Sequence, residues 1–443
     1  MTLKKIAALL SIAGIASPAF ATNGMNMEGY GPIASGMGGA SMAYDNGTAA
    51  VVNNPATLGM MATGTSRLDL AIGGLHPDVT AKMTGMPDAK SGGDAYYMPA
   101  LGYARKDGKL TYGVALFSQG GMGTEYADGS FMSAGSPGAT RSELGVGRLI
   151  APLAFEVTPD LIIGGSLDFV WATLDLKMAA DTATLGGLVT AGSGNLYSAL
   201  PGLMGMNWAR IDFSDDNDFS GAAKGYGWAG NIGFTYRISP MVTIGGSYHS
   251  KTALSDLETG TSGASMTAGM YGSTTPGFAD SGKILVRDFQ WPETYGFGVS
   301  VQATPQLQVV ADVKQIGWSK VMKNFKMTYE SGGVGGSVDF TLPQEWKDQT
   351  VFQLGATYMV SPQFALRAGY NVSRNPIPDT YLNALFPAIV KDHYTFGFGY
   401  AVSNTADVNG SFTYAPKVTQ TGGSGITSEH SQTNWQLMYS QRF

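Results

Sequence analysis

Asp215, Asp216, Asn217 and Asp218 set four oxygen-bearing side chains in succession, the donor type a calcium ion takes. A solvated acidic loop accounts for the same run. The four histidines, His76, His249, His393 and His430, show no metal-ligand spacing, and no serine stands in a Gly-x-Ser-x-Gly elbow. Zero cysteines close off disulfides, thiolate catalysis and zinc-thiolate sites together. The reading is of a chain with no catalytic residues, no metal centre and no cofactor, and not an enzyme. Gly120-Gly121 carries a mechanical possibility instead. Adjacent glycines weaken a strand's ladder and allow dihedrals that other residues resist, so they could leave a gap between neighbouring strands. An ordinary bulge uses the same pair.

The elements that must hold these residues are strands. Tyr295, Phe297, Val299 and Val301 alternate with Gly296, Gly298, Ser300 and Gln302, and Tyr394, Phe396, Phe398, Tyr400 and Val402 alternate with Thr395, Gly397, Gly399 and Ala401. Side chains on a strand point to opposite faces with period two, so one face would meet lipid and the other a lumen. A bilayer offers no water to an open sheet edge, and only a closed barrel spans it in strands. The fold expected is all-β, a transmembrane antiparallel β-barrel. Charged residues are 14% of the chain, below the ~25% of ordinary soluble domains. The 21 Tyr and 62 Gly suit interfacial aromatic belts and curved sheets.

Lys4 and Lys5, the apolar run Ile6–Ile15 and Ala19-Phe20-Ala21 read as an export signal over 1–21. The formal net charge is −6, and losing those lysines makes it more negative, which leaves no electrostatic footprint for nucleic acid. About fifteen alternating runs can be counted. Joining the run Ile284–Gln290 to that from Glu293, bent at Pro292, gives an even number, about 14 strands over 66–443. Ser239-Pro240, Thr304-Pro305 and Ser361-Pro362 read as periplasmic turns. The long stretches Ala179–Lys224, Leu254–Asp280, Met327–Gln349 and Thr419–Ser431 read as outer loops. Short helices are expected at Asn195–Gly205 and Tyr381–Val390. Asp168, Asp312, Lys314 and Arg367 fall on lumen positions, Arg367 facing a barrel carboxylate or one on a ligand.

Residues 22–65 do not look like wall. They are too apolar for a floppy tail and too short for a core of their own, so they are expected to lie in the lumen as a plug, or hatch. Gly36-Met37-Gly38-Gly39-Ala40, the following Asp45 and Asn54-Pro55-Ala56 resemble the hatch of the FadL/TodX family of outer-membrane transporters of long-chain fatty acids and aromatic hydrocarbons. Gln119-Gly120-Gly121-Met122-Gly123-Thr124-Glu125-Tyr126 resembles that family's third strand, where an inward kink opens the wall sideways. Arg367-Ala368-Gly369-Tyr370 and Asn375-Pro376-Ile377-Pro378-Asp379 are similar to its late strand and exit loop.

The resemblance implies a hatch with Gly36, Gly38, Gly39, Asn54, Pro55 and Ala56. Pro55 restricts Asn54 to extended or turn geometry and Asn54 can bond local backbone, so the pair is expected to fix the hatch against the kink rather than touch substrate. It implies Met25 near the ligand, and a lateral opening at Gly120, Gly121, Met122 and Glu125. The methionines of the hatch, Met25 among them, could equally serve only to pack it. The function expected is passive uptake of hydrophobic compounds, fatty acids or hydrocarbons, by capture, hatch movement and lateral release. A water-filled porin, or a surface barrel for adhesion or phage binding, are the alternatives. Expected partners are the hydrophobic ligand, outer-membrane lipid and lipopolysaccharide, and the barrel-assembly machinery. The chain is expected to act as a monomer in the outer membrane of a Gram-negative bacterium.

Overall fold

The structure, a computed structural model, describes residues 23–217, 220–273 and 275–443; the expected export signal lies outside the described residues. The chain forms strands β1 Ser66–Lys82, β2 Ala89–Lys90, β3 Tyr96–Asp107, β4 Leu110–Tyr126, β5 Thr140–Glu156, β6 Leu161–Asp181, β7 Val189–Ser193 and β8 Trp208–Phe213. It continues with β9 Ala223–Ser239, β10 Val242–His249, β11 Ala253–Leu254, β12 Leu257–Glu258, β13 Ala264–Gly269, β14 Phe278–Arg287, β15 Thr294–Gln302 and β16 Leu307–Ile316. The last are β17 Asn324–Ser331, β18 Ser337–Pro343, β19 Gln349–Ser361, β20 Phe364–Ser373, β21 His393–Ala401, β22 Ala406–Thr421 and β23 Thr427–Arg442.

Every ladder is antiparallel. From β1 the pairing runs through β3, β4, β5, β6, β9, β10, β15, β16, β19, β20, β21 and β22 to β23. β23 then pairs back with β1 from Arg67↔Arg442 to Lys82↔Thr427, which closes the cylinder and leaves no edge. Period two decides what faces lipid: Phe396, Phe398 and Tyr400 are exposed on the outside, while Thr395 between Tyr394 and Phe396 is buried. Ser239-Pro240, Thr304-Pro305 and Ser361-Pro362 sit at tight connections of the same end, where β9–β10, β15–β16 and β19–β20 turn.

The expectation of about 14 strands is corrected: 23 strand segments, the ring just traced and a further set beyond it, are hydrogen-bonded into one sheet. The difference lies in the supposed outer loops. The far end of β6, from Leu176, pairs with β8, and the ladder continues through β13, β14, β17 and β18 to β7, a second tier built largely from stretches read as loops, with most of β14 the exception. These strands do not show lipid-facing alternation, and for a physical reason. In β17, Phe325, Met327 and Tyr329 are buried while Lys326 and Glu330 are exposed, so the outward face is charged because it meets water. In β8 almost every residue is buried. Nor are Ile284–Gln290 and the run from Glu293 one strand: β14 and β15 are separate segments with different neighbours, β14 on β17 and β15 on β10. A helix does form at Gly194–Leu203. Tyr381–Val390 is not an α-helix; Pro387 falls inside it, and it folds as successive tight turns with Leu382, Leu385 and Ile389 buried.

Residues 23–61 are almost wholly buried and bond to strands on opposite sides of the cylinder. Ser41 N and Met42 N donate to Asp312 Oδ2 of β16 at 2.6 and 3.0 Å. Thr48 N donates to Asp69 Oδ2 of β1 at 2.8 Å, Gly38 N to Thr395 Oγ1 of β21 at 2.8 Å, and Tyr30 Oη to Gln119 O of β4 at 2.6 Å. The lumen-facing carboxylates Asp69 and Asp312 thus accept from backbone amides left over by local structure, Thr48 in the first turn of the short 3-10 helix Gly47–Val51 and Ser41 and Met42 outside any helix or ladder, which is how a segment with little regular structure satisfies its donors.

Two outcomes follow. Phe396→Arg, a charge placed on the lipid face, destabilises the barrel by about 2–4 kcal/mol if it sits near the bilayer midplane, read as a lower midpoint in denaturant-titrated refolding into lipid. Asp312→Ala leaves two buried amides without an acceptor, at about 1–3 kcal/mol each. Hydrogen exchange at Ser41 and Met42 should accelerate while exchange in the β1–β23 ladder stays slow.

Candidate functional site

The β3–β4 ladder is incomplete. It runs from Asp107↔Leu110 to Leu101↔Leu116 and stops. Beyond that point Tyr96–Ala100 of β3 keep their partners on β1, from Leu75 to Ala71, and Phe117–Tyr126 of β4 pair only with β5. At the far end the segment that leads into β3 meets β4, where Gly92 N donates to Glu125 O at 2.7 Å and Ser91 bridges Tyr126. Between these points the wall is open.

The sequence lowers the cost of the opening. On one side Pro99 has no N–H to offer a neighbour. On the other, β4 bulges between Ser118 and Gly120, and Gly120 turns inward to form an isolated bridge with Asn26. Gly120 has φ 154°, and a methyl group there would stand 2.3 Å from Met25 O, so only glycine allows the N-terminal segment to come this close. Gly121 is tight in another direction: a methyl group there would stand 2.0 Å from Leu144 O of β5.

The bulge is braced by buried polar groups that the sequence reading did not connect. Arg148 Nε of β5 donates to Gln119 Oε1. Arg148 Nη1 lies 3.0 Å from Asp168 Oδ2, which is also 2.8 Å from His249 Nε2. Trp291 Nε1 donates to Asn26 Oδ1 at 2.8 Å. Trp291 packs edge-on against Trp318, and Trp318 against Trp346, three buried indoles that meet the N-terminal segment at Asn26 and Gly24. Asn26, Tyr30, Gln119 and Trp291 are the residues missed. Trp291 carried the one available signal, a tryptophan beside the Pro292 already read as a strand irregularity.

A cavity of about 350 Å³ lies behind the gap. Its lining includes Met25, Met27, Leu75, Met98, Pro99, Leu116, Gly120, Met122, Leu144, Val146 and Trp171, and it is mostly apolar. Its charged lining residues are Glu28 and Glu143, with no lysine or arginine among the described residues. Glu143 is held by Arg141 Nη2 at 2.5 Å. Burial pushes the Glu28 carboxyl above its ordinary range, as expected where little solvates a negative charge. A second, smaller cavity lined by Leu174, Phe289, Met322, Phe325, Leu342 and Phe386 shares Met25, Met122 and Leu144 with the first. These three side chains are the partition between them.

Of the residues singled out in the sequence, Met25, Gly120, Gly121 and Met122 meet at the gap. Glu125 closes its far end through its backbone, and its carboxylate lies 3.3 Å from Arg141 Nη1. Gly36, Gly38 and Gly39 lie elsewhere, against β19–β21: Gly36 touches Gly397, Gly38 N bonds Thr395, and Gly39 backs onto Gln353. Asn54 does not reach the kink. Its Nδ2 donates to Met42 O at 2.7 Å and to Phe234 O of β9 at 3.0 Å, and its Oδ1 accepts from Ala56 N, capping the turn that Pro55 starts. Pro55 and Ala56 pack on Gly164 of β6. Arg367 Nη1 donates to Phe398 O and Asn409 Oδ1 at 2.9 and 3.0 Å rather than to a carboxylate. His393 and His430 are buried, and His249 belongs to the brace. Asp215 and Asp216 are tied to Ser220 and Lys177, and Asp218 lies outside the described residues. No group of three or more potential metal ligands occurs among the described residues.

Comparison with known proteins places this geometry. Residues 8–436 match the family model described as outer membrane protein transport protein (OMPP1/FadL/TodX). The toluene transporter TodX of P. putida is similar at 30% identity and TM-score 0.83, covering 94% of this chain and 99% of that one. The toluene transporter TbuX of Ralstonia pickettii is similar at 30% identity and TM-score 0.78 with the same coverage. A Pseudomonas aeruginosa FadL homologue shares the fold at 14% identity and TM-score 0.70. A Chlorobium limicola protein described only by its position in the phosphoenolpyruvate carboxykinase gene 5′ region is 53% identical over 94 residues. That match spans 21% of this chain and 44% of the relative. By the family match over nearly its whole length, which the closed barrel with its apolar outer belt accords with, the chain is a member of the OMPP1/FadL/TodX family of outer-membrane transport proteins.

Proposed function

We propose that this protein carries small uncharged hydrophobic molecules, of the aromatic hydrocarbon class, across the outer membrane and releases them sideways into it through the gap between β3 and β4. The observation that carries this reading is the coincidence of a missing stretch of ladder with an apolar cavity directly behind it. Residues 66–443 act as the barrel and 22–65 as the hatch. Cargo passes from the side of the smaller cavity, displaces the partition of Met25, Met122 and Leu144, and reaches the gap. The Asn26–Gly120 bridge ties the hatch to the bulged strand, so movement at Met25 is felt at the opening. Each ~100 Å² of apolar surface kept out of water is worth about 2.5 kcal/mol. Lateral exit therefore beats exit through an aqueous lumen, and no energy source is needed. Lipid and lipopolysaccharide surround the barrel, the barrel-assembly machinery inserts it, and it works as a monomer.

Charge argues for hydrocarbon over fatty acid. The cavity that disfavours ionised Glu28 would disfavour a cargo carboxylate for the same reason, and no cation lines it among the described residues. Two relatives named as toluene transporters support the same choice. A general porin is disfavoured by the buried packing of residues 23–61.

Gly120→Trp should lower toluene uptake into whole cells by about tenfold or more, the effect of ~1.4 kcal/mol on a rate, with the amount of folded barrel unchanged by heat-modifiable gel mobility. Unimpaired uptake in that variant would remove the lateral route. Oleate uptake in the unaltered protein at a rate matching toluene would remove the hydrocarbon preference.

A further inference from the structure

Tyr96 stands at the first position of β3, at the edge of the gap. Its backbone pairs with Leu75 of β1 and lies outside the β3–β4 ladder. Its side chain is half-buried and belongs to the lining of the cavity. A methyl group on Gly123 would lie 2.4 Å from the Tyr96 hydroxyl oxygen, and one on Gly93 equally 2.4 Å. Gly123 is in β4, paired with Glu143 of β5. Gly93 is in the segment that meets β4 at Glu125. The phenol ring therefore crosses from β3 to β4 where the backbone ladder does not. Neither glycine has a left-handed φ, so the backbone does not demand glycine at these positions. What the two share is the tyrosine oxygen, for which each leaves room.

We infer that Tyr96 is the leaf of the opening, the side chain that sets how wide a molecule can pass between β3 and β4. This rests on the lateral route proposed above. In its observed position the ring spans the far part of the gap and leaves the stretch flanked by Met98, Pro99 and Gly120, a slot for a slim, flat molecule. A fused-ring aromatic needs the leaf displaced. Rotation about the side chain's own torsions is enough, since a staggered rotamer change moves an aromatic ring by several ångströms without touching the backbone.

The test measures uptake of toluene and of a bulkier neutral aromatic, 1-methylnaphthalene, by cells carrying the full-length protein, with folded barrel quantified by heat-modifiable mobility. Tyr96→Ala should raise the ratio of methylnaphthalene to toluene uptake several-fold, Tyr96→Phe should keep the unaltered ratio because it keeps the ring, and Tyr96→Trp should lower it. Tyr96→Leu serves if the alanine variant fails to fold. An unchanged ratio in Tyr96→Ala or Tyr96→Leu, with Gly120→Trp still blocking both cargoes, would overturn the leaf and leave the lateral route standing. Passage of both cargoes through Gly120→Trp would overturn the route and the leaf together.

Discussion

Inside a bilayer every backbone N–H and C=O must find a partner in the protein, because lipid offers none and each orphan costs several kcal/mol. That demand closes the sheet through β1 and β23, and it makes any interruption of a ladder conspicuous. The break between β3 and β4 is composed of residues that need the ladder least. Pro99 has no donor, the bulge at Ser118–Gly120 turns some of β4 inward, and Asn26 takes up the bridge that β3 does not make. The opening is therefore a redistribution of hydrogen bonds from wall to lumen, and the N-terminal segment is what makes it possible.

The same segment ties the cavity to the wall. Met25 lines both cavities, the adjoining Asn26 bonds to Trp291 and bridges Gly120, and Tyr30 caps the carbonyl of Gln119. Arg148 then fixes Gln119 from the other side, within a buried group that includes Asp168 and His249. Buried ion pairs of this kind add little net stability but strongly resist losing one member, which suits a strand held in an irregular shape. Around the rest of the lumen the segment is anchored by Asp69, Asp312 and Thr395. The anchored stretch and the stretch at the opening are thus different regions of one chain.

Much of the wall was legible because period two and lipid contact act on every residue of a strand at once. Tyr394 to Val402 could hardly be anything else. The second tier was not legible, since beyond the bilayer water accepts charge on the outer face and the hydrophobic alternation inverts, as in β17, or disappears, as in β8. The site was legible in half. Gly120 and Gly121 announced themselves as paired glycines, and Met122 and Met25 came with the family resemblance. Asn54-Pro55-Ala56 was readable as a capped turn, but not as one that faces β9 and β6 instead of the bulge. Which strand a lumen residue meets depends on how the cylinder closes.

The sequence by itself determined the class: strand periodicity, an apolar outer face, no cysteine and an apolar segment that no strand pattern fits. These follow from local rules, side-chain alternation and the cost of polar groups in lipid, that need no knowledge of partners. Only the tertiary structure decided where the ladder fails, that Asn26 and Tyr30 rather than Asn54 touch the failure, and that Tyr96 lies across it. Those facts depend on register between strands brought together by closure, and register is a property of pairs, which no single strand encodes.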